Sequence, residues 1–158
     1  MTTRPDAPRH SRDRFTRSLT RICEELDNRA WVELDYDHTV AGCVRIQGRM
    51  QARALCVWAF GSWARGAPFC SDLDLAVWLE NKWLEAPRIN GQSNPDAPFS
   101  VLIPLRKLLG VRPLVHFVDV KDVGVGLAVQ RSDLTLIWQH PDVEESSTWR
   151  DRIALEGR

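Results

Sequence analysis

The amino-acid sequence predicts an α/β (α+β) domain, a small β-sheet with helices packed on it. Two observations carry that expectation. Between Ser11 and Asn28 the residues Phe15, Leu19, Ile22 and Leu26 recur at helical spacing. Further on come short apolar runs bounded by glycine, proline or polar turns: Leu55–Phe60, Ser71–Leu79, Leu114–Val120 and Leu134–Trp138. A length of 158 residues suits one domain with its own core.

Composition narrows the function classes. Lys plus Arg equals Asp plus Glu at 21 each, so the net charge of zero gives no global pull toward nucleic acid or membrane. The four cysteines, Cys23, Cys43, Cys56 and Cys70, are dispersed with no Cys-x-x-Cys pair. They read as reduced thiols rather than zinc ligands. No apolar stretch reaches about 18 residues and no signal-like core opens the chain, so no membrane association and a cytoplasmic location are expected.

In chain order, residues 1–10 are polar and read as a disordered tail. The helix over 11–28 follows. Arg4, Arg9, Arg12, Arg14, Arg17 and Arg21 make this end basic. That suits either an RNA- or partner-binding face or, as the favoured reading, the solvated side of an amphipathic helix. Trp31 to Asp37 reads as helix continuation or strand. Its alternating acids Glu33, Asp35 and Asp37 point to an exposed strand or loop, because no phosphate-binding turn precedes them. Cys43 to Gln47 reads as a short strand, and Arg49 to Arg53 as a link into the central run.

That central run holds the chemistry. Leu55–Phe60 is a buried strand broken by Gly61. Ser62 to Arg65 begin a short helix, ended by Gly66 and Pro68. The chain returns as Ser71-Asp72-Leu73-Asp74-Leu75, a second strand. Side chains alternate along a strand, so Asp72 and Asp74 share a face. Two adjacent carboxylates repel and lose hydration when partly buried, which a cation between them would relieve. Mg²⁺ suits such oxygen ligands together with substrate phosphates. Gly61 and Ser62 sit at a strand-to-helix turn, where backbone N–H groups favour phosphate.

Beyond it, Asn81 to Ala86 reads as the start of a connection and Pro87 to Pro98 as a turn-rich polar loop. Ser100 to Leu109 reads as a helix that tolerates Pro104 only near its start. Leu114 to Val120 is the third strand. On it, His116 points away from the face of Asp119 and reads as a packed strand histidine. Val123 to Arg131 reads as a short helix, Leu134 to Trp138 as a fourth strand, and residues 141–158 as a helical tail with a helix over Ser147 to Glu156. Seven tryptophans slightly favour an interface.

The pattern Gly-Ser-x9-Asp-x-Asp, with Ala64-Arg65-Gly66 and Ser71 inside it, resembles the signature of the DNA polymerase beta superfamily of nucleotidyltransferases. Its wording is most similar to the minimal nucleotidyltransferase branch. The resemblance implies a polymerase beta-like core with a small mixed sheet across residues 11–140. It also implies a Mg²⁺-dependent enzyme using two ions and ATP. Asp72 and Asp74 would be catalytic and metal-binding, and a third carboxylate from a later strand fits Asp119, with Asp122 a weaker competitor. Gly61 and Ser62 would hold phosphates. Arg65 would contact phosphate or, preferably, fix the turn. Three acids in place would argue against a decayed site. The branch is similar to antitoxins of HEPN-type ribonuclease toxins, which implies transfer of AMP to a hydroxyl of a partner protein. RNA- or small-molecule-directed transfer, and a non-catalytic partner-binding module, are the alternatives.

Overall fold

One 17-residue strand, Val44–Phe60, carries partners on both of its edges. The computed structural model describes residues 8–28, 31–119 and 134–143. Its elements in chain order are β1 (His10–Ser11), α1 (Arg12–Asp27), β2 (Val32–Val40), β3 (Val44–Phe60), α2 (Gly61–Ala64), β4 (Phe69–Cys70), β5 (Leu73–Trp83), β6 (Arg88–Ile89), β7 (Gln92–Ser93), α3 (Leu102–Leu109), β8 (Val115–Asp119) and β9 (Thr135–Gln139). The described fold is mixed α+β, rich in strand, with three helices. No described helix is long and apolar enough to cross a membrane.

Along one edge of β3 run β2 and then β9; along the other run β6 and then β5, all antiparallel to it. β5 continues the sheet to β8, the one parallel pair among the described strands. A bulge near Leu55 changes which residues of β3 face inward. Before it Ile46, Met50, Ala52 and Ala54 enter the main core; after it Val57 and Ala59 do. One extra residue in a strand inverts the alternation that follows. Cys56 and Trp58 consequently lie on the second face with Ala76.

The helices cover the main-core face. α1 buries Phe15, Leu19, Ile22 and Leu26, the spacing read from the sequence, and α3 adds Leu105, Leu108 and Leu109. Burying each such side chain is worth about 1.5–3 kcal/mol before chain entropy is charged against it. α1 is also held at both ends. The Arg12 guanidinium lies 4.3 Å from the Trp63 ring centre and donates to the Trp63 carbonyl, while Trp63 Nε1 donates to Thr16 Oγ1 at 3.1 Å. At the other end, Trp138 Nε1 donates to Asp27 at 2.8 Å and Arg112 pairs with Glu25 at 2.6 Å.

Several expectations change. Of residues 31–37, read as helix continuation or strand, 32–37 lie in β2, and their acids are exposed, as read, and ion-paired. Arg45 meets Asp37 at 2.7 Å, and Arg49 meets Glu33 at 3.0 Å and Asp35 at 3.5 Å. The short strand at 43–47 and the link at 49–53 are one strand with the central run, because small or apolar residues at every second position keep one face buried. Asn81 to Trp83 continue β5 rather than begin a connection. The polar loop holds a hairpin, β6–β7, docked on Ile46 and Gln47. His10, placed in the tail, pairs with Cys70. α3 starts at Leu102, so Pro104 falls in its first turn, where a missing N–H costs nothing. Asp122, the helix expected over 123–131 and the helix over 147–156 lie outside the described residues.

At the far end from α2, Trp83 lies over Gly48. A Cβ built on Gly48 would sit 2.7 Å from the Trp83 ring, which packs edge-on to Tyr36 at 5.3 Å and Phe99 at 5.9 Å. Gly48→Ala is therefore expected to destabilise the fold by about 1–3 kcal/mol, the cost typical of overpacking. Urea unfolding of the variant beside the wild type measures it, and equal midpoints would mean that Trp83 moves aside freely.

Candidate functional site

The last rung of the β3–β5 ladder sets Phe60 opposite Asp74. Immediately after Phe60 the chain turns into α2, and Gly61 adopts φ +76°, a left-handed conformation that favours glycine. The Asp74 carboxylate takes up the space that a Cβ would fill. An ideal Cβ at Gly61 would lie 2.6 Å from Asp74 Oδ2. The carboxylate thus rests against the turn backbone, a closeness that any side chain at 61 would prevent.

β8 completes the arrangement. Its parallel register on β5 sets Asp74 beside His116 and Val77 beside Asp119. Registered neighbours share a face, so His116 joins Asp74 while Asp119, three residues on, faces the opposite side. His116 Nδ1 lies 3.5 Å from Asp72 Oδ2 and 3.5 Å from Asp74 Oδ1. One ligand atom from each of Asp72, Asp74 and His116 falls within 4.8 Å of the others. The two carboxylates are 20% and 19% exposed and the imidazole 58%, so the group opens to solvent on the histidine side.

Two readings from the sequence are corrected by this geometry. Asp119 is not gathered with Asp72 and Asp74; it is buried on the helix-covered face. His116 is exposed at the cluster rather than packed in the core. The histidine's separation from the Asp119 face was legible from strand alternation, but which of those faces belonged to Asp74 was not. The remaining residues lie around the turn. Ser62 is half-buried, and its carbonyl accepts from the Ala67 N–H at 3.0 Å. Arg65 is exposed and makes no ion pair with a described residue, so its side chain does not brace the turn through a carboxylate there.

Electrostatics at the cluster are unfavourable without a counter-charge. Burial pushes the Asp74 carboxyl from its ordinary 3.8 up to about 6; the charge of Asp72 adds to the rise and His116 opposes it. Two carboxylates and an imidazole are a donor set that divalent cations accept, so these residues fit a bound cation. His116 also borders a surface cavity of about 290 Å³, whose other lining residues, among them Leu105 and Arg106 of α3 and Val115 and Phe117 of β8, do not include the aspartates. No protein-family model, curated protein or solved structure matches the chain.

Two outcomes follow from this geometry. Gly61→Ala should strain the turn by about 1 kcal/mol and push the Asp74 carboxylate away. Calorimetric titration with Mn²⁺ should then show affinity reduced by about tenfold or more, and unchanged affinity would mean that the close approach is incidental. The second outcome concerns pH. A carboxyl whose pKa is higher folded than unfolded holds its proton more tightly when folded, so it favours folding in acid. That contribution fades as pH rises from about 4 through about 6. In chelator, Asp74→Asn should therefore match wild-type stability near pH 4 and exceed it at pH 7 by on the order of 1 kcal/mol. Denaturant unfolding at the two pH values measures the difference.

Proposed function

We propose that this chain is a divalent-cation-dependent nucleotidyltransferase of the DNA polymerase beta type, close to the minimal nucleotidyltransferase branch. It transfers a nucleoside monophosphate, AMP from ATP, to a hydroxyl on a partner protein such as a HEPN-type toxin: the hydroxyl oxygen bonds the α-phosphorus as its proton is lost, and the bond to the β-phosphate breaks to release pyrophosphate. The observation that carries the reading is Asp72 and Asp74 on one face at the start of β5, with Asp74 touching the Gly61 turn.

In this scheme Asp72 and Asp74 are the carboxylate ligands. A divalent cation held by them would supply charge neutralisation for the phosphates and polarisation of the reacting phosphoryl group. The N–H groups at Gly61 and Ser62, with the Ser62 hydroxyl, orient the β and γ phosphates, and exposed Arg65 is free to reach them. Three gathered donors suffice for one protein-held ion, so the second Mg²⁺ of a two-ion scheme would depend on substrate oxygens. Asp119 faces away from Asp74 and has no direct part in this scheme.

One observation favours a second reading, a module that controls its partner by contact alone. An imidazole occupies the place beside Asp74 where a third carboxylate was expected, which removes the completeness of the acid set as a point for catalysis. Labelling with α-³²P-ATP separates the two. Protein, divalent cation and host lysate are incubated, and products are divided into protein, RNA and small-molecule fractions. Label on one protein band with wild type, but not with the Asp72→Ala/Asp74→Ala double variant, is the expected result. Label on RNA would redirect the acceptor. Absence of label with any nucleotide, while the double variant still binds its partner, would leave the contact module standing.

A further inference from the structure

We propose that His116 is the third protein ligand of the cation site and tunes it toward a first-row transition metal rather than Mg²⁺. The inference rests on the reading of Asp72 and Asp74 as cation ligands and specifies which cation they serve.

The donors are already close to ligating distance. Metal–oxygen and metal–nitrogen bonds of about 2.1 Å place neighbouring donors about 3.0–3.4 Å apart in octahedral or tetrahedral sites. His116 Nδ1 stands 3.5 Å from one oxygen of each aspartate, so a few tenths of an ångström would bring the imidazole to ligating distance of an ion that both carboxylates hold. The register that places it there belongs to the sheet, since Asp74 and His116 are direct neighbours on paired strands. Backbone pairing holds the Cα atoms in place, and only side-chain rotation remains for closure.

The chemistry of the set then selects the ion. Mg²⁺ prefers an all-oxygen shell and sheds water reluctantly. Imidazole is a borderline donor that suits Zn²⁺, Ni²⁺ and similar ions, and affinity for mixed nitrogen and oxygen sites rises along the first transition row to copper. Replacing one oxygen by nitrogen therefore widens the gap between Mg²⁺ and these ions. The exposed side of the cluster leaves positions for water or for substrate phosphate oxygens.

The test uses the full chain stripped with chelator and then titrated with Co²⁺. Visible absorption reports the ligand field, calorimetry reports affinity, and Mg²⁺ competition gives the selectivity. Wild type should prefer Co²⁺ to Mg²⁺ by about 100-fold or more, with absorption bands that change in His116→Ala. Partners that merely orient a metal ligand are worth about 10–100-fold in affinity, so loss of the ligand itself should cost at least that for Co²⁺. His116→Asp should lower the Co²⁺-to-Mg²⁺ ratio about tenfold or more, because it restores an all-oxygen set. Circular dichroism confirms that each variant is folded, and exposure of His116 makes that outcome expected. An unchanged ratio and spectrum in both His116 variants, with binding still lost in Asp74→Asn, would overturn the role of His116 and leave the aspartate site intact. Binding unaffected by Asp74→Asn would overturn the aspartate site as well.

Discussion

The structure of the site depends on one rung of the sheet, Phe60 opposite Asp74. Because β3 ends there, the chain must turn at Gly61, and the turn falls beside the carboxylate opposite. The close approach follows directly: a residue without Cβ takes that backbone conformation without strain and leaves the carboxylate in place, whereas a Cβ would push it aside. A different register would detach the Gly-Ser turn from the aspartates and leave a strand with two acids and no adjoining turn.

Register rests in turn on packing. Both β3 and β5 are buried on the face that α1 and α3 cover, with Val57, Ala59, Leu73, Leu75 and Val77 in one core. Slipping either strand by one residue would expose these side chains and bury Asp74, a change that the apolar core opposes strongly. The Leu55 bulge belongs to the same arrangement, since it lets one strand serve the core with even-numbered residues at one end and odd-numbered ones at the other. The clasp of Arg12 and Thr16 on Trp63 anchors α2 to α1 and so steadies the turn that carries Gly61 and Ser62.

Against this rigid frame the cluster stores unfavourable electrostatics. Asp74 is partly buried beside a second carboxylate, and its raised pKa is the measure of that conflict. Native sites that retain such conflicts commonly recover the cost when a ligand arrives. The exposed acids of β2 show the contrast. Each meets an arginine of β3 in solvent, and Arg45 holds the Asp37 carboxyl below its ordinary value. Those pairs are surface chemistry of little energetic weight, whereas Asp72 and Asp74 face an imidazole in a half-closed setting.

Much of the fold was legible because local periodicity follows from local geometry. α1 showed its buried stripe in Phe15, Leu19, Ile22 and Leu26, and the Asp72–Asp74 pair showed its shared face through the strand period of two. The length of β3 was obscured by Gly48, Arg49 and Arg53, which read as a link until β2, β5 and β6 supplied partners. In β8 the sequence established that His116 and Asp119 face opposite ways. Only the tertiary structure decided that His116, and not Asp119, stands with Asp74. Alternation is a property of one strand, while register between strands is set by the packing of both against a common core.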